Sequence, residues 1–207
     1  MPTLLKIDVS PRGDHSISRK LSQKFADEWQ QSHSGGKIVP RDLARTTLPF
    51  VDLPWITGAF TAPDQHTSEH KDALKLSDEL IAELLAADEI VISTPMYNFN
   101  VPAALKAWID HIVRAGKTFS VGPDGYKGLM AGRKLTVLIA SGSDFSAGTP
   151  YESYNLEAPY FPVVFGFIGI TDITIVHAGG TNQVAQQKVT AEDFLAKFTP
   201  QVVAAAQ

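Results

Sequence analysis

At 207 residues, 44% of them hydrophobic, the chain is long enough to build one domain around a substantial core and requires no second. Its 18 Lys and Arg against 22 Asp and Glu leave a formal charge of −4, which argues against a general nucleic-acid binder and for a small-molecule ligand. The absence of cysteine excludes disulfides, thiolate metal sites, iron–sulfur clusters and thiol catalysis.

Leu4 to Val9 reads as a first strand, followed by a helix carrying Ile17, Leu21, Phe25 and Trp29 at helical spacing. Lys37 to Asp42 reads as a second strand, and its Pro40, which cannot donate to a ladder, places it at a sheet edge. Leu48 to His66 reads as a long irregular segment, yet it contains Phe50, Val51, Trp55, Ile56 and Phe60. A loop this apolar is expected to cover a partner subunit and to help wall a site. A helix over about Ser68 to Ala86 presents Leu74, Leu80, Ile81, Leu84 and Leu85 on one face and leads into a third strand, Glu89 to Thr94.

The next helix is expected to start near Pro102, with Asn100 placed to cap it and Gly116 to stop it. Leu105, Trp108, Ile109, Ile112 and Val113 form its apolar stripe. Leu135 to Ala140 is the fourth strand, Phe161 to Ile168 a short helix in spite of Pro162, Ile173 to His177 the fifth strand, and Ala191 to Ala205 the closing helix. No repeat, low-complexity tract or linker divides the chain, so residues 1–207 are expected to form a single domain.

Strand and helix signals that alternate in this way predict parallel βαβ units and an α/β fold. With the second strand outermost, the order is the flavodoxin-like 2-1-3-4-5, a five-stranded parallel sheet with helices on both faces. Met1 to Lys6 lacks a basic region followed by a long apolar one, so no signal peptide is expected. The longest apolar run, Tyr160 to Ile170, is interrupted by Pro162 and too short to span a bilayer. A cytoplasmic protein without membrane or nucleic-acid partners is expected.

Two loops carry the functional signal. After the first strand, Ser10-Pro11-Arg12-Gly13-Asp14-His15-Ser16-Ile17-Ser18 enters a helix, and its hydroxyls together with the free N–H groups of a first helical turn suit a phosphate dianion. After the third strand, Pro95-Met96-Tyr97-Asn98-Phe99-Asn100-Val101-Pro102 is rich in flat and hydrogen-bonding side chains, as a loop holding a flat cofactor would be. If the first and third strands are neighbours, both loops lie at the switch point of the sheet, where FMN binds in the flavodoxin-like order. No G-x-G-x-x-G follows the first strand, so a dinucleotide held in the Rossmann manner is unsupported.

Other patterns fail on their spacing. Ala115-Gly116-Lys117-Thr118 follows a helix and has His111 where a P-loop needs glycine, and between His66 and His70 it is Thr67 that occupies the place where the zinc-protease motif needs Glu. Ser143 lacks the G-x-S-x-G surround of a hydrolase elbow.

Met96-Tyr97-Asn98-Phe99, Ser10 with Ser16-Ile17-Ser18, Arg114 to Phe119 and Gly166-Phe167-Ile168-Gly169-Ile170 together resemble the FMN-dependent NADH-azoreductases, also known as FMN-dependent NADH:quinone oxidoreductases. The resemblance spans essentially the whole chain, including the Leu76 to Ile81 helix. It implies a homodimer with one FMN per subunit, Ser10 and Ser16 to Ser18 on the phosphate, and Met96, Tyr97, Asn98 and Phe99 on the isoalloxazine. Ser141, Gly142, Ser143 and Asp144 would then reach the pyrimidine edge.

That last loop departs from the family's usual Ser-Arg-Gly-Gly, losing the Arg and gaining the Asp144 carboxylate. An acid there accepts a flavin N3–H, repels an anionic reduced flavin, or turns outward to solvent. No side chain is expected to be catalytic in itself, because flavin N5 carries the hydride, and no metal site is expected. The implied reaction is a ping-pong transfer from NADH or NADPH to a quinone or an azo compound. The alternatives are a one-electron flavodoxin-type carrier and a flavin reductase. Carriers commonly place a glycine beside N5, and here Asn98, Phe99 and Asn100 stand there.

Overall fold

A computed structural model describes residues 1–207. In chain order the elements are β1 (Thr3–Asp8), α1 (Ile17–Ser32), β2 (Lys37–Asp42), α2 (Leu53–Phe60), α3 (Ser68–Ala86), β3 (Glu89–Pro95), α4 (Ala103–Ile112), β4 (Phe119–Gly122) and β5 (Gly125–Gly128). They continue with β6 (Lys134–Ser141), α5 (Tyr160–Phe167), β7 (Asp172–Gly179), α6 (Asn182–Ala185), α7 (Ala191–Ala196) and α8 (Thr199–Ala205). Five parallel strands form one sheet in the order β2-β1-β3-β6-β7. Numbered along the five core strands this is 2-1-3-4-5, with the Pro40 strand at the edge as its sequence requires.

The central strands β3 and β6 are buried on both faces, which is why they read as continuous runs of Ile, Val and Leu. One face packs Leu80, Leu84, Trp108, Ile112, Phe161 and Phe165 from α3, α4 and α5. The other packs Leu21, Phe25, Trp29, Phe194 and Val202 from α1, α7 and α8. Both layers pin the carboxyl ends of β1, β3 and β6 side by side, and that edge carries the site.

Four expectations need correction, and one pair of strands was not foreseen. The Leu48–His66 segment is not irregular: Asp52 accepts the Trp55 amide at 3.0 Å and Pro54 sits in the first turn, so α2 forms, followed by a 3₁₀ turn at Pro63–Gln65. Asn100 does not cap α4; its Oδ1 takes the neighbouring Val101 amide at 2.8 Å, and Pro102 stands at the cap without a side-chain bond. That helix ends at Ile112 rather than at Gly116, because the Thr118 hydroxyl donates to the Ile112 carbonyl at 2.7 Å and accepts the Arg114 amide at 3.0 Å. The closing helix is two: Pro200 lacks the amide that would bridge them, and the chain breaks between α7 and α8. The sequence reading also has no hairpin, whereas β4 and β5 pair antiparallel around Pro123-Asp124-Gly125, with Gly125 at φ 97°.

Candidate active site

At the start of α1, Ser16 is the N-cap: its hydroxyl accepts the Arg19 amide at 3.4 Å and lies 3.1 Å from Ser18 Oγ. Ser10, Ser16 and Ser18 are all buried. The amides of Ile17 and Ser18 come before the first backbone donor of the helix, the Lys20 amide that bonds the Ser16 carbonyl, and have no partner within the chain. Arg19 ties this loop to the ends of two strands. Its Nε donates to the Ser10 carbonyl at 2.7 Å, one terminal nitrogen donates to Asp42 at 2.6 Å, and the other lies 3.8 Å from Asp8.

Beside it, β3 runs into Met96, whose amide donates to the Ala140 carbonyl at 2.9 Å. Tyr97 and Asn100 then exchange backbone hydrogen bonds at 3.0 and 3.1 Å, closing a two-residue turn in which Asn98 (φ 47°) and Phe99 (φ 71°) are both left-handed. For residues with a Cβ that conformation costs on the order of 1–2 kcal/mol each. The turn leaves the Asn98 and Phe99 amides without partners in the chain. Phe99 stacks on Tyr154 with centroids 5.2 Å apart and takes Phe145 edge-on at 5.8 Å.

A third loop follows β6. The Ser141 hydroxyl donates to the Ser143 carbonyl at 2.7 Å, so His177 Nε2, also 2.7 Å away, is the donor to Ser141. Burial lowers the His177 pKa against the opposing pull of Asp144, which favours the neutral ring with its hydrogen on Nε2. Asp144 turns back onto its own loop. It accepts the Ser146 amide at 3.0 Å, and hydrogen bonding from Ser146 holds its carboxyl below the usual range. It also lies over Gly179, where an added Cβ would come within 2.6 Å of its Oδ1.

Of the residues singled out by sequence, Ser10, Ser16, Ile17, Ser18, Met96, Tyr97 and Gly142 line one cleft of about 180 Å³. Asn98 and Phe99 form the exposed turn beyond it, Ser141 is buried, and Ser143 and Asp144 lie on the exposed part of their loop rather than in the lining. Arg12, Pro95, Ala140, Thr181 and Asn182 complete the lining and were not expected. Arg12 carried a signal, a cation in a serine-rich helix entry. Thr181 and Asn182 carried none, because only the fold brings the end of β7 here: the Gly180 and Thr181 amides both donate to the Ser141 carbonyl at 3.0 Å.

Residues 2–199 match a family model described as a flavodoxin-like fold. The chain is 51% identical over 207 residues, the full length of both, to a protein of Jannaschia sp. (strain CCS1) named FMN-dependent NADH:quinone oxidoreductase 2. It belongs to that family of flavoproteins. A Nostoc sp. member named FMN-dependent NADH:quinone oxidoreductase is 49% identical over 183 residues, 88% of each chain. Among solved structures, an azoreductase from Bacillus anthracis str. Sterne superposes with a TM-score of 0.88 at 30% identity, covering 100% of this chain and 99% of that one. An FMN-dependent NADH-azoreductase from Bacillus anthracis str. Ames Ancestor, in complex with FMN, gives 0.86 at 26% identity, covering 100% and 98%.

Proposed function

We propose that the protein is an FMN-dependent NADH:quinone oxidoreductase that also reduces azo compounds, its residues 1–207 forming one FMN-binding domain that works as a homodimer. The observation that carries this reading is the pairing, across one cleft, of a hydroxyl-rich helix N-terminus with a strained turn that bares two amides. The first fits a phosphate dianion and the second fits the edge of a polar ring, so the residues present suit FMN.

The chemistry that FMN would supply, when bound, is two-electron transfer from NADH or NADPH to a quinone, or to an azo bond over two rounds. The chain supplies position and field. Ser10, Ser16 and Ser18 offer hydroxyls and Ile17 and Ser18 offer amides to the phosphate, while the α1 dipole adds about 1 kcal/mol. Arg12 brings a full positive charge to the same cleft. Met96, Tyr97, Asn98 and Phe99 hold the ring. Asn98 and Phe99 are already left-handed in the turn, so their amides are set before any ligand arrives. Gly142 leaves room against Asn182, where a Cβ would meet the amide at 3.0 Å. Ser141, Ser143 and Asp144 belong to the loop that would approach the pyrimidine edge, where Asp144 stays an anion stabilised by its bond from Ser146 and turned back onto its own loop.

Support for the homodimer comes from apolar side chains left bare in one copy: Phe50, Leu53 and Phe60 around α2, Val163 on α5, and Val121 and Tyr126 on the hairpin. No helix is long and apolar enough to cross a membrane, and the lack of cysteine suits a reducing cytoplasm, where we place the protein.

Anaerobic addition of NADH to the FMN-replete protein is expected to bleach the flavin band in one two-electron step. Steady NADH oxidation with benzoquinone is expected without any protein acceptor. Failure of that turnover in FMN-replete protein overturns the enzyme reading in favour of a carrier, and release of free reduced flavin overturns it in favour of a flavin reductase.

A further inference from the structure

The segment after the aromatic loop, the stretch after β6 that carries Phe145, Tyr151 and Tyr154, reaches back to the Met96–Phe99 turn through two consecutive residues. The Leu156 amide donates to the Phe99 carbonyl at 3.1 Å. Next to it Glu157 is fully buried, with Oε1 3.0 Å from the Thr94 hydroxyl and Oε2 without any partner. That hydroxyl also lies 3.2 Å from the Pro95 carbonyl, at the other end of the turn. We propose that Glu157 is a positioning residue for the flavin loop: as a neutral acid it donates to Thr94, which donates to the Pro95 carbonyl, and its ionisation breaks this clamp.

The argument turns on one hydrogen. The Thr94 hydroxyl has a single proton and two acceptors within reach. A neutral Glu157 supplies its own proton to Thr94 Oγ1, leaving the Thr94 hydrogen for Pro95. The orphan Oε2 is then an unprotonated carbonyl oxygen, which is a cheaper group to leave unpaired than a buried anion. A carboxylate instead takes the Thr94 hydrogen, and the Pro95 carbonyl loses its donor.

Burial, with no charge to oppose it, pushes the Glu157 pKa up to about 8, and only the hydrogen bond from Thr94 pulls the other way. No Lys, Arg, His, Asp or Glu from a packed element contributes to that titration. On the flanking helices, the Tyr160 phenol of α5 interacts with Lys106 and Asp110 of α4, and those two pair with each other at 2.6 Å.

The inference rests on the FMN reading of the turn, and the test separates the two. FMN affinity is measured by fluorescence quenching from pH 6.5 to 9 for the wild type, Glu157→Gln and Thr94→Val, with the titrations of the ligand common to all three. Glu157→Gln keeps a donor to Thr94 at every pH, so it is expected to match the wild type within about twofold at pH 6.5. Above pH 8 the wild type is expected to lose roughly five- to tenfold in affinity, about the worth of one hydrogen bond, while Glu157→Gln does not. Thr94→Val, which cannot relay, is expected to be weak and free of that step throughout, so the inference stays testable should the Gln variant not fold. A step that persists unchanged in the variants overturns the clamp and leaves the FMN site standing. Protein that binds no FMN at any pH overturns both.

Discussion

At the residue scale, Ser16 and Ser18 are neighbouring hydroxyls of which only Ser16 has a structural duty in the helix. Ser16 caps α1, whereas the structure gives the Ser18 hydroxyl no backbone partner, only Ser16 Oγ at 3.1 Å. Ser16→Ala is therefore expected to cost about 1 kcal/mol of stability as well as FMN affinity. Ser18→Ala is expected to cost affinity with little change in melting temperature. Parallel calorimetry and FMN titration of the two variants check this. Glu157 adds a pH signature of its own. Its folded pKa of about 8 lies above the ordinary 4.5, so the folded state is the better proton binder between those values. Stability is fully present below pH 4.5, is drawn down as pH rises through about 8, and is flat beyond, by a total on the order of 5 kcal/mol at 1.36 kcal/mol per unit. Urea unfolding of the apoprotein against pH is expected to show this slope in the wild type and to lose it in Glu157→Gln.

At the element scale, α2 is held by a buried relay. Trp55 Nε1 donates to His111 Nδ1 at 3.1 Å, so His111 carries its hydrogen on Nε2 and gives it to the Pro49 carbonyl at 2.9 Å. Trp55→Phe removes the donor and leaves a buried acceptor unpaired. It is expected to destabilise the fold by about 1–3 kcal/mol while FMN affinity is retained, because the relay touches α4 and not the cleft. The aromatic loop carries the matching expectation for specificity. Tyr154→Ala removes the ring stacked on Phe99, so KM for a two-ring naphthoquinone is expected to rise several-fold, with KM for NADH unchanged.

These elements also show what a sequence can and cannot reveal. The strands were legible because burial on both faces leaves unbroken β-branched runs, and the Pro40 edge followed from one missing donor. The capping signal Asp52-Leu53-Pro54 lies inside a segment whose overall composition reads as irregular, and the Pro123-Asp124-Gly125 turn is flanked by strands of only four residues each. The serine loop and the Met96–Phe99 loop were legible by local chemistry, and the pairing of β1 with β3 brings them to one sheet edge. Thr181, Asn182 and the Glu157 clamp were not legible. Each acts through a contact made at a distance along the chain, and no local pattern marks it.

At the scale of the whole molecule, the unsolved surface is the apolar one. Phe50, just before α2, and Phe60, its last residue, are 78% and 81% exposed, and the hairpin adds Val121 and Tyr126 to the bare apolar side chains. Because Phe50 and Phe60 contribute little to the core of one copy, Phe50→Glu with Phe60→Glu is expected to leave the fold intact and to act on association. Two carboxylates placed in an apolar interface face desolvation without partners, a cost of several kcal/mol per ion and enough to dissociate an ordinary dimer. Light scattering is expected to give twice the chain mass for the wild type and the chain mass for the double variant, with unchanged circular dichroism. If the partner also walls the acceptor site, the monomeric variant keeps its bound FMN and loses quinone turnover. A wild type that is monomeric at micromolar concentration refutes the homodimer, and a monomeric variant with full turnover confines the site to one chain.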